Sequence, residues 1–289
     1  MTIGEIEQKI ATELADQYGE NEAQSLARVA IEDVCDIRFT AQMGQRSTPL
    51  SHEQEQLLLK VLGGLKQNIP LQYLLGFADF YGLRFKVAPG VLIPRPETEE
   101  LVDWVLSDIA LQGNQEGARR VLDIGTGSGC IPIILKKKLP NTEVISVDVS
   151  EEALRIASSN VVFHDVDVRL VKGDVLNELS DFQKDTVDII ISNPPYITSA
   201  EKAQMHANVL QNEPSLALFV PDEDPLIFYR KILILAQTCL VPDGSVYFEI
   251  NSLMGEPMLA LLSEYGFAGD LRKDINGADR MVKARRLPQ

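Results

Sequence analysis

Apolar positions in the first seventy residues recur at helical spacing. Ile3, Ile6, Ile10 and Leu14 fall on one helical face, and Ala23, Leu26, Ala30, Val34 and Ile37 on another. A third helix is predicted from Ser51, where Ser51-His52-Glu53-Gln54 has the form of a capping box ahead of Leu57, Leu58, Val61 and Leu62. Gly63-Gly64 and then Pro70 are expected to close a small helical bundle that carries no catalytic constellation of its own. From Phe77 to Val87 the pattern changes. Phe77, Phe80, Tyr81, Phe85 and Val87 surround Gly82 and predict two short strands about a turn, a connector. In Ile93-Pro94-Arg95-Pro96-Glu97 two prolines fix the backbone at Arg95, and acidic residues then fill the first turn of a helix through Val105 and Ile109.

From Arg119 onward strands and helices alternate. Strands are expected at Val121–Ile124, Val144–Asp148, Val168–Val171, Val187–Ile191 and Ser245–Ile250, and helices at Ile131–Leu139, Glu151–Asn160 and Leu226–Leu240. Such alternation implies α/β architecture with parallel pairing in a doubly wound sheet. Ligands of such sheets bind beyond the carboxyl ends of the strands. The chain is therefore expected to divide into a helical domain over 1–75, a β-hairpin connector over 76–92 and an α/β domain over 93–289.

Composition narrows the function. The chain has 289 residues, 45% of them hydrophobic and 24% charged, ordinary values for a globular protein. Its longest apolar stretch, around Ile189–Ile191, has the length of a buried strand, so no membrane association is expected. The acidic start Met1-Thr2-Ile3-Gly4-Glu5-Ile6-Glu7 lacks a basic-then-apolar order, and a cytoplasmic location is expected. Cys35, Cys130 and Cys239 stand singly, as do His52, His164 and His206, so neither a disulfide framework nor a metal site is indicated. The formal charge of −15 weighs against gripping a nucleic-acid backbone, which takes lysine and arginine.

Four segments at the strand ends carry chemistry. Gly125-Thr126-Gly127-Ser128-Gly129 follows the first strand of the α/β domain, where glycines let backbone amides approach a ligand; nicotinamide and flavin folds use a close variant. Asp148 ends the next strand and can accept two hydrogen bonds from a ribose diol, or else cap the following helix. Asp174, in Gly173-Asp174-Val175, can accept from an adenine amino group while Val175 packs on the ring; a plain turn is the alternative. Asn193-Pro194-Pro195-Tyr196 decides between cofactors. A planar amide or amine nitrogen is a poor nucleophile, and methyl transfer to it needs in-line placement and relief of growing positive charge. The Asn193 side-chain oxygen and the Pro194 carbonyl can accept from its N–H groups, the prolines stiffen the turn, and Tyr196 offers a flat face. The methyl donor for such an acceptor is S-adenosylmethionine.

With these motifs in hand the sequence resembles the HemK/PrmC-type protein-(glutamine-N5) methyltransferases of peptide chain release factors. The resemblance runs through Pro70-Leu71-Gln72-Tyr73-Leu74-Leu75-Gly76, Phe80-Tyr81-Gly82, Leu92 to Glu97, Gly125 to Gly129, Asn193 to Tyr196, and Asp274-Ile275-Asn276-Gly277 with Arg280. It implies a class I, Rossmann-like, seven-stranded methyltransferase domain behind a helical domain that helps seat the substrate, a class 1 release factor. The acceptor it implies is the glutamine of a Gly-Gly-Gln loop. Gly125 to Gly129, Asp148, Asp174, Val175 and Asn193 would hold the cofactor, without a metal. Asn193 to Tyr196 would hold the amide, with Arg95 beside them. Val175 departs from members that carry a large aromatic there. Two other enzymes share the tetrapeptide chemistry: a ribosomal-protein glutamine methyltransferase, and a DNA or RNA adenine-N6 or guanine-N2 methyltransferase acting on a flipped base. The Pro94-Arg95-Pro96-Glu97 form favours the release-factor enzymes. A catalytically silent binding module of the translation apparatus is the non-enzymatic reading.

Overall fold

The computed structural model describes residues 1–111, 119–177, 179, 182–205 and 207–287. His206 lies outside them. The chain forms two compact units. One comprises Met1–Phe77 with His206–Asn212, the other Ala78–Met205 with Glu213–Gln289.

The first unit contains α1 (Ile3–Tyr18), α2 (Glu20–Cys35), α3 (Phe39–Gln42), α4 (His52–Leu65) and α5 (Leu71–Leu75). Ser51 caps α4 with the reciprocal bonds of a capping box. Ile3, Ile6, Ile10 and Leu14 pack with Ala23, Ala27, Ala30 and Ile31 and with Leu58, Val61, Leu62 and Leu65. Leu57 is 41% exposed, because the buried stripe of α4 runs at Leu58, Val61, Leu62 and Leu65. Gly63-Gly64 do not close the region but lie inside α4. A Cβ on Gly64 would sit 2.3 Å from a Leu74 methyl, so the glycine admits α5 against the helix.

Strands β1 (Phe77–Phe80), whose residues from Ala78 on open the second unit, and β2 (Leu83–Lys86) form a hairpin. Its turn places Tyr81 and Gly82 at φ 52° and 73°, the twist that two-residue hairpins favour. Then follow α6 (Pro96–Leu111), β3 (Arg120–Ile124), α7 (Cys130–Lys138), β4 (Glu143–Asp148), α8 (Glu151–His164), β5 (Arg169–Lys172) and β6 (Val187–Ser192). After β6 come α9 (Ala207–Asn212), which belongs to the first unit, and α10 (Ser215–Leu218), α11 (Ile227–Cys239), β7 (Leu240–Glu249), α12 (Gly255–Glu264), β8 (Phe267–Lys273) and β9 (Asp279–Arg286).

The sheet has the order β5-β4-β3-β6-β7-β9-β8. Its first five strands pair in parallel, and β9 pairs antiparallel with both β7 and β8. The five strands that the alternation pointed to are the parallel ones, and the antiparallel end is built from β8 and β9, which it did not include. Leu122, Ile124 and Ile190 pack with α11 and α12 on one face. Val121, Ile189 and Ile191 pack with α6 and α7 on the other. Two covered faces explain why these strands read as continuous apolar runs. The chain winds outward from β3 through β4 to β5, then returns to β6 on the other side of β3. That reversal opens a crevice above the carboxyl ends of β3 and β6.

Candidate active site

The crevice is a cleft of roughly 1230 Å³, solvent at its mouth included, within the second unit. Its floor is the loop after β3. Gly125, Gly127 and Gly129 all take left-handed φ values (80°, 55° and 81°), which side chains resist, and they turn the chain into α7. Thr126 and Ser128 lie between them, and their buried hydroxyls make no hydrogen bond of good geometry among the described residues. Beneath the loop Asp123 is fully buried, and neither carboxyl oxygen has a partner of good geometry among the described residues. Burial pushes its carboxyl up to about 7, the Thr126 and Ser146 hydroxyls offsetting only part of the rise.

The predicted ligand-binding residues gather around this floor. Asp148 ends β4 and receives the Gly127 N–H on Oδ2 at 2.9 Å and the Ser150 N–H on Oδ1 at 2.9 Å. Ser150, not Asp148, caps α8 through its side chain. Burial raises the Asp148 carboxyl, and the backbone donors oppose the rise. Asp174 and Val175 line the same cleft beyond β5. Asp174 folds a turn, accepting from Leu176 N at 2.9 Å and from Asn177 Nδ2 at 2.8 Å, so each oxygen has one lone pair committed within the loop. Val175 packs against the core on the α11 side of the sheet.

Asn193, Pro194 and Pro195 line the opposite wall, directly after β6. Register brings the two walls together: Ile124 of β3 pairs with Ser192 of β6, and a Cβ on Gly125 would lie 3.8 Å from the Asn193 carbonyl. Asn193 donates its Nδ2 to Thr98 Oγ1 at 3.1 Å. Its Oδ1 and the Pro194 carbonyl receive no hydrogen bond among the described residues. Tyr196 donates its hydroxyl to Glu249 Oε1 at 3.1 Å, and burial with that carboxylate holds the phenol well above its ordinary pKa. Arg95 lines the cleft but its guanidinium is paired with Glu213 at 2.7 Å; Glu213 also accepts the Ile93 N–H at 3.2 Å.

Thr98, Glu213 and Glu249 are site residues that sequence reasoning passed over. Glu249 had one available signal, a single carboxylate inside the apolar run Val246-Tyr247-Phe248-Glu249-Ile250. Thr98 directly follows the Ile93–Glu97 segment but carried no signal of its own, and Glu213 lies in a stretch without a motif.

Residues 5–76 match the family model described as PrmC N-terminal domain, and residues 106–217 match Methyltransferase small domain. A release factor glutamine methyltransferase of Bacteroides thetaiotaomicron is 44% identical over 279 residues, 96% of this chain and 98% of its own. Its counterpart from Flavobacterium psychrophilum is 43% identical over 271 residues, 93% of this chain and 94% of its own. A crystal structure of a methyltransferase from Pyrococcus furiosus covers 81% of this chain and 98% of its own, with TM-score 0.50 at 20% identity, a likeness of fold.

Proposed function

The chain belongs to the release factor glutamine methyltransferase family, and from that premise we propose that it moves a methyl group from S-adenosylmethionine to the side-chain amide nitrogen of the glutamine in the Gly-Gly-Gln loop of class 1 release factors. The observation that carries the chemistry is the pair of open acceptors, Asn193 Oδ1 and the Pro194 carbonyl, on the wall facing the glycine loop. A carboxamide presents two N–H groups, and two neighbouring acceptors match them.

The residues present fit the cofactor. A floor of left-handed glycines, which no Cβ fills, and the carboxylate at the end of β4 form a polar cradle in a cleft whose lining is mostly apolar. When bound, S-adenosylmethionine supplies a methyl group on a sulfonium, ready for a nucleophile. Gly125 to Gly129 and Asp148 would hold it by its polar groups, with Asp174 and Val175 at the adenine end. Asn193 and Pro194 orient the amide nitrogen and favour the positive charge that grows on it. Tyr196 gives the planar amide a flat wall. The helical unit is assigned to seating the release factor, and no direct contact with nucleic acid or metal takes part.

The test supplies labelled S-adenosylmethionine with a purified release factor, a DNA duplex and ribosomal protein in separate reactions. Label on the factor alone is expected. Label on the duplex or the ribosomal protein, with none on the factor, overturns the assignment.

A further inference from the structure

Asn193 serves an amide acceptor only if its own side chain is turned the right way. The oxygen and nitrogen ends of a carboxamide have nearly the same shape. A flip would aim two N–H donors at the N–H groups they are meant to hold, and the clamp would become a repulsion. Proline on the following residue stiffens the backbone but does nothing to fix this rotation.

A buried relay does fix it. Thr98 lies in the first turn of α6 and Glu249 at the end of β7; they are 4% and 1% exposed. Thr98 donates its hydroxyl to Glu249 Oε2 at 2.6 Å. An ionised carboxylate only accepts, so the single hydroxyl proton of Thr98 is committed to it. Thr98 Oγ1 then has only lone pairs for Asn193, which accept Nδ2–H at 3.1 Å and would repel Oδ1. The open oxygen of Asn193 is thereby turned to the cleft. The second oxygen, Glu249 Oε1, takes the Tyr196 hydroxyl. Tyr229 donates to the Glu249 carbonyl at 3.0 Å and anchors the backbone that carries the carboxylate. Burial opposes the charge on Glu249, while the two hydroxyls and the nearby Arg280 favour it.

We propose that Thr98 and Glu249 are positioning residues for methyl transfer, the carboxylate setting the Asn193 amide through the Thr98 hydroxyl and setting the Tyr196 ring directly. This rests on the acceptor site assigned above. One carboxylate thus holds two side chains of the tetrapeptide, Asn193 through Thr98 and Tyr196 directly. Glutamine could not replace it, because a carboxamide has one acceptor end and cannot receive both hydroxyls.

The test measures kcat, KM for the release factor and cofactor affinity in Thr98→Val, Thr98→Ser, Glu249→Gln, Asn193→Ala and the double variant Thr98→Val with Asn193→Ala. Valine keeps the volume of Thr98 and deletes the hydroxyl. We expect Thr98→Val to lower kcat roughly 10- to 100-fold, less than the roughly 100- to 1000-fold of a lost direct transition-state contact because Thr98 acts through Asn193, with cofactor affinity unchanged. Thr98→Ser, which restores the hydroxyl, should recover most of the rate. In the Asn193→Ala background Thr98→Val should add no further loss, because it acts only through Asn193. Wild-type kcat in Thr98→Val, a serine variant as slow as the valine, or an additive double variant overturns the proposal. If Thr98→Val does not fold, Thr98→Ala carries the same cycle, and Glu249→Gln, which also releases Tyr196, should lose more rate than either Thr98 variant; a Glu249→Gln rate equal to wild type also overturns the proposal. Full activity in Asn193→Ala would remove the acceptor site itself, whereas a slow Asn193→Ala beside a fast Thr98→Val removes only the relay.

Discussion

Ser192, the last residue of β6, donates its hydroxyl to the Ile124 carbonyl at the end of β3, 2.7 Å away and fully buried. The bond joins the strand that ends in the acceptor tetrapeptide to the strand that ends in the glycine loop. It ties the two walls of the cleft where the parallel ladder runs out. Ser192→Ala should lower unfolding free energy by about 1 kcal/mol, the net value of a typical buried hydrogen bond. Chemical denaturation measures this, and an unchanged midpoint would deny the bond a structural role.

Asp148 is expected to serve the cofactor and the loop at once. Its Oδ2 holds the Gly127 amide, so removing the carboxylate loses a ligand contact and loosens the floor. Asp148→Ala should weaken S-adenosylmethionine binding roughly 10- to 100-fold, as expected for a lost hydrogen bond to a charged group. Titration calorimetry reads the change directly. Binding at wild-type strength would place the ribose elsewhere.

The two glycines of α4 should respond in opposite directions. Gly63 has open space where a Cβ would go, so Gly63→Ala should stabilise the helical unit by about 1 kcal/mol through helix propensity. Gly64→Ala must displace Leu74 and should destabilise by about 1–3 kcal/mol. Thermal denaturation of the two variants decides it, and equal shifts would contradict the packing described.

That pair also marks what the sequence conveys. A Gly-Gly dipeptide reads as a stop because local propensity says so, and only the approach of Leu74 explains a glycine inside the helix. The central strands were legible because two covered faces make runs such as Ile189-Ile190-Ile191 unambiguous. Helix α12 carries a helical spacing at Met258, Leu261 and Leu262 that was passed over, whereas strands β8 and β9 had no such signal. In β8 the exposed Ala268, Arg272 and Lys273 interrupt the apolar positions, and Asp279-Arg280 and Arg285-Arg286 bracket the short apolar segment of β9. The glycine loop and the tetrapeptide were visible as contiguous motifs. Thr98 and Glu249 stand 151 positions apart and meet only when α6 packs beside β7.

Asp123 gives the folded chain a pH signature. Its folded carboxyl is raised to about 7, so the folded state keeps a proton that the unfolded state has released. Its contribution to stability is full below the ordinary carboxylate value of 3.8 and is lost as pH rises through about 7. Burial raises Asp148 and Glu249 in the same direction, while His164, lowered by burial, works the other way. The measurement is therefore a difference. From about pH 5 to about pH 8 the melting temperature of ligand-free wild type should fall more steeply than that of Asp123→Asn. Parallel curves would mean that Asp123 ionises as an ordinary carboxyl.

Mapping the methyl group tests the assigned transfer itself. Release factor incubated with the enzyme and S-adenosylmethionine is digested and sequenced by tandem mass spectrometry, in parallel with factor treated with Asn193→Ala. A single methyl group is expected on the side-chain nitrogen of the Gly-Gly-Gln glutamine, nearly absent with the variant. A methyl group on any other residue, or equal modification by Asn193→Ala, would contradict the assignment.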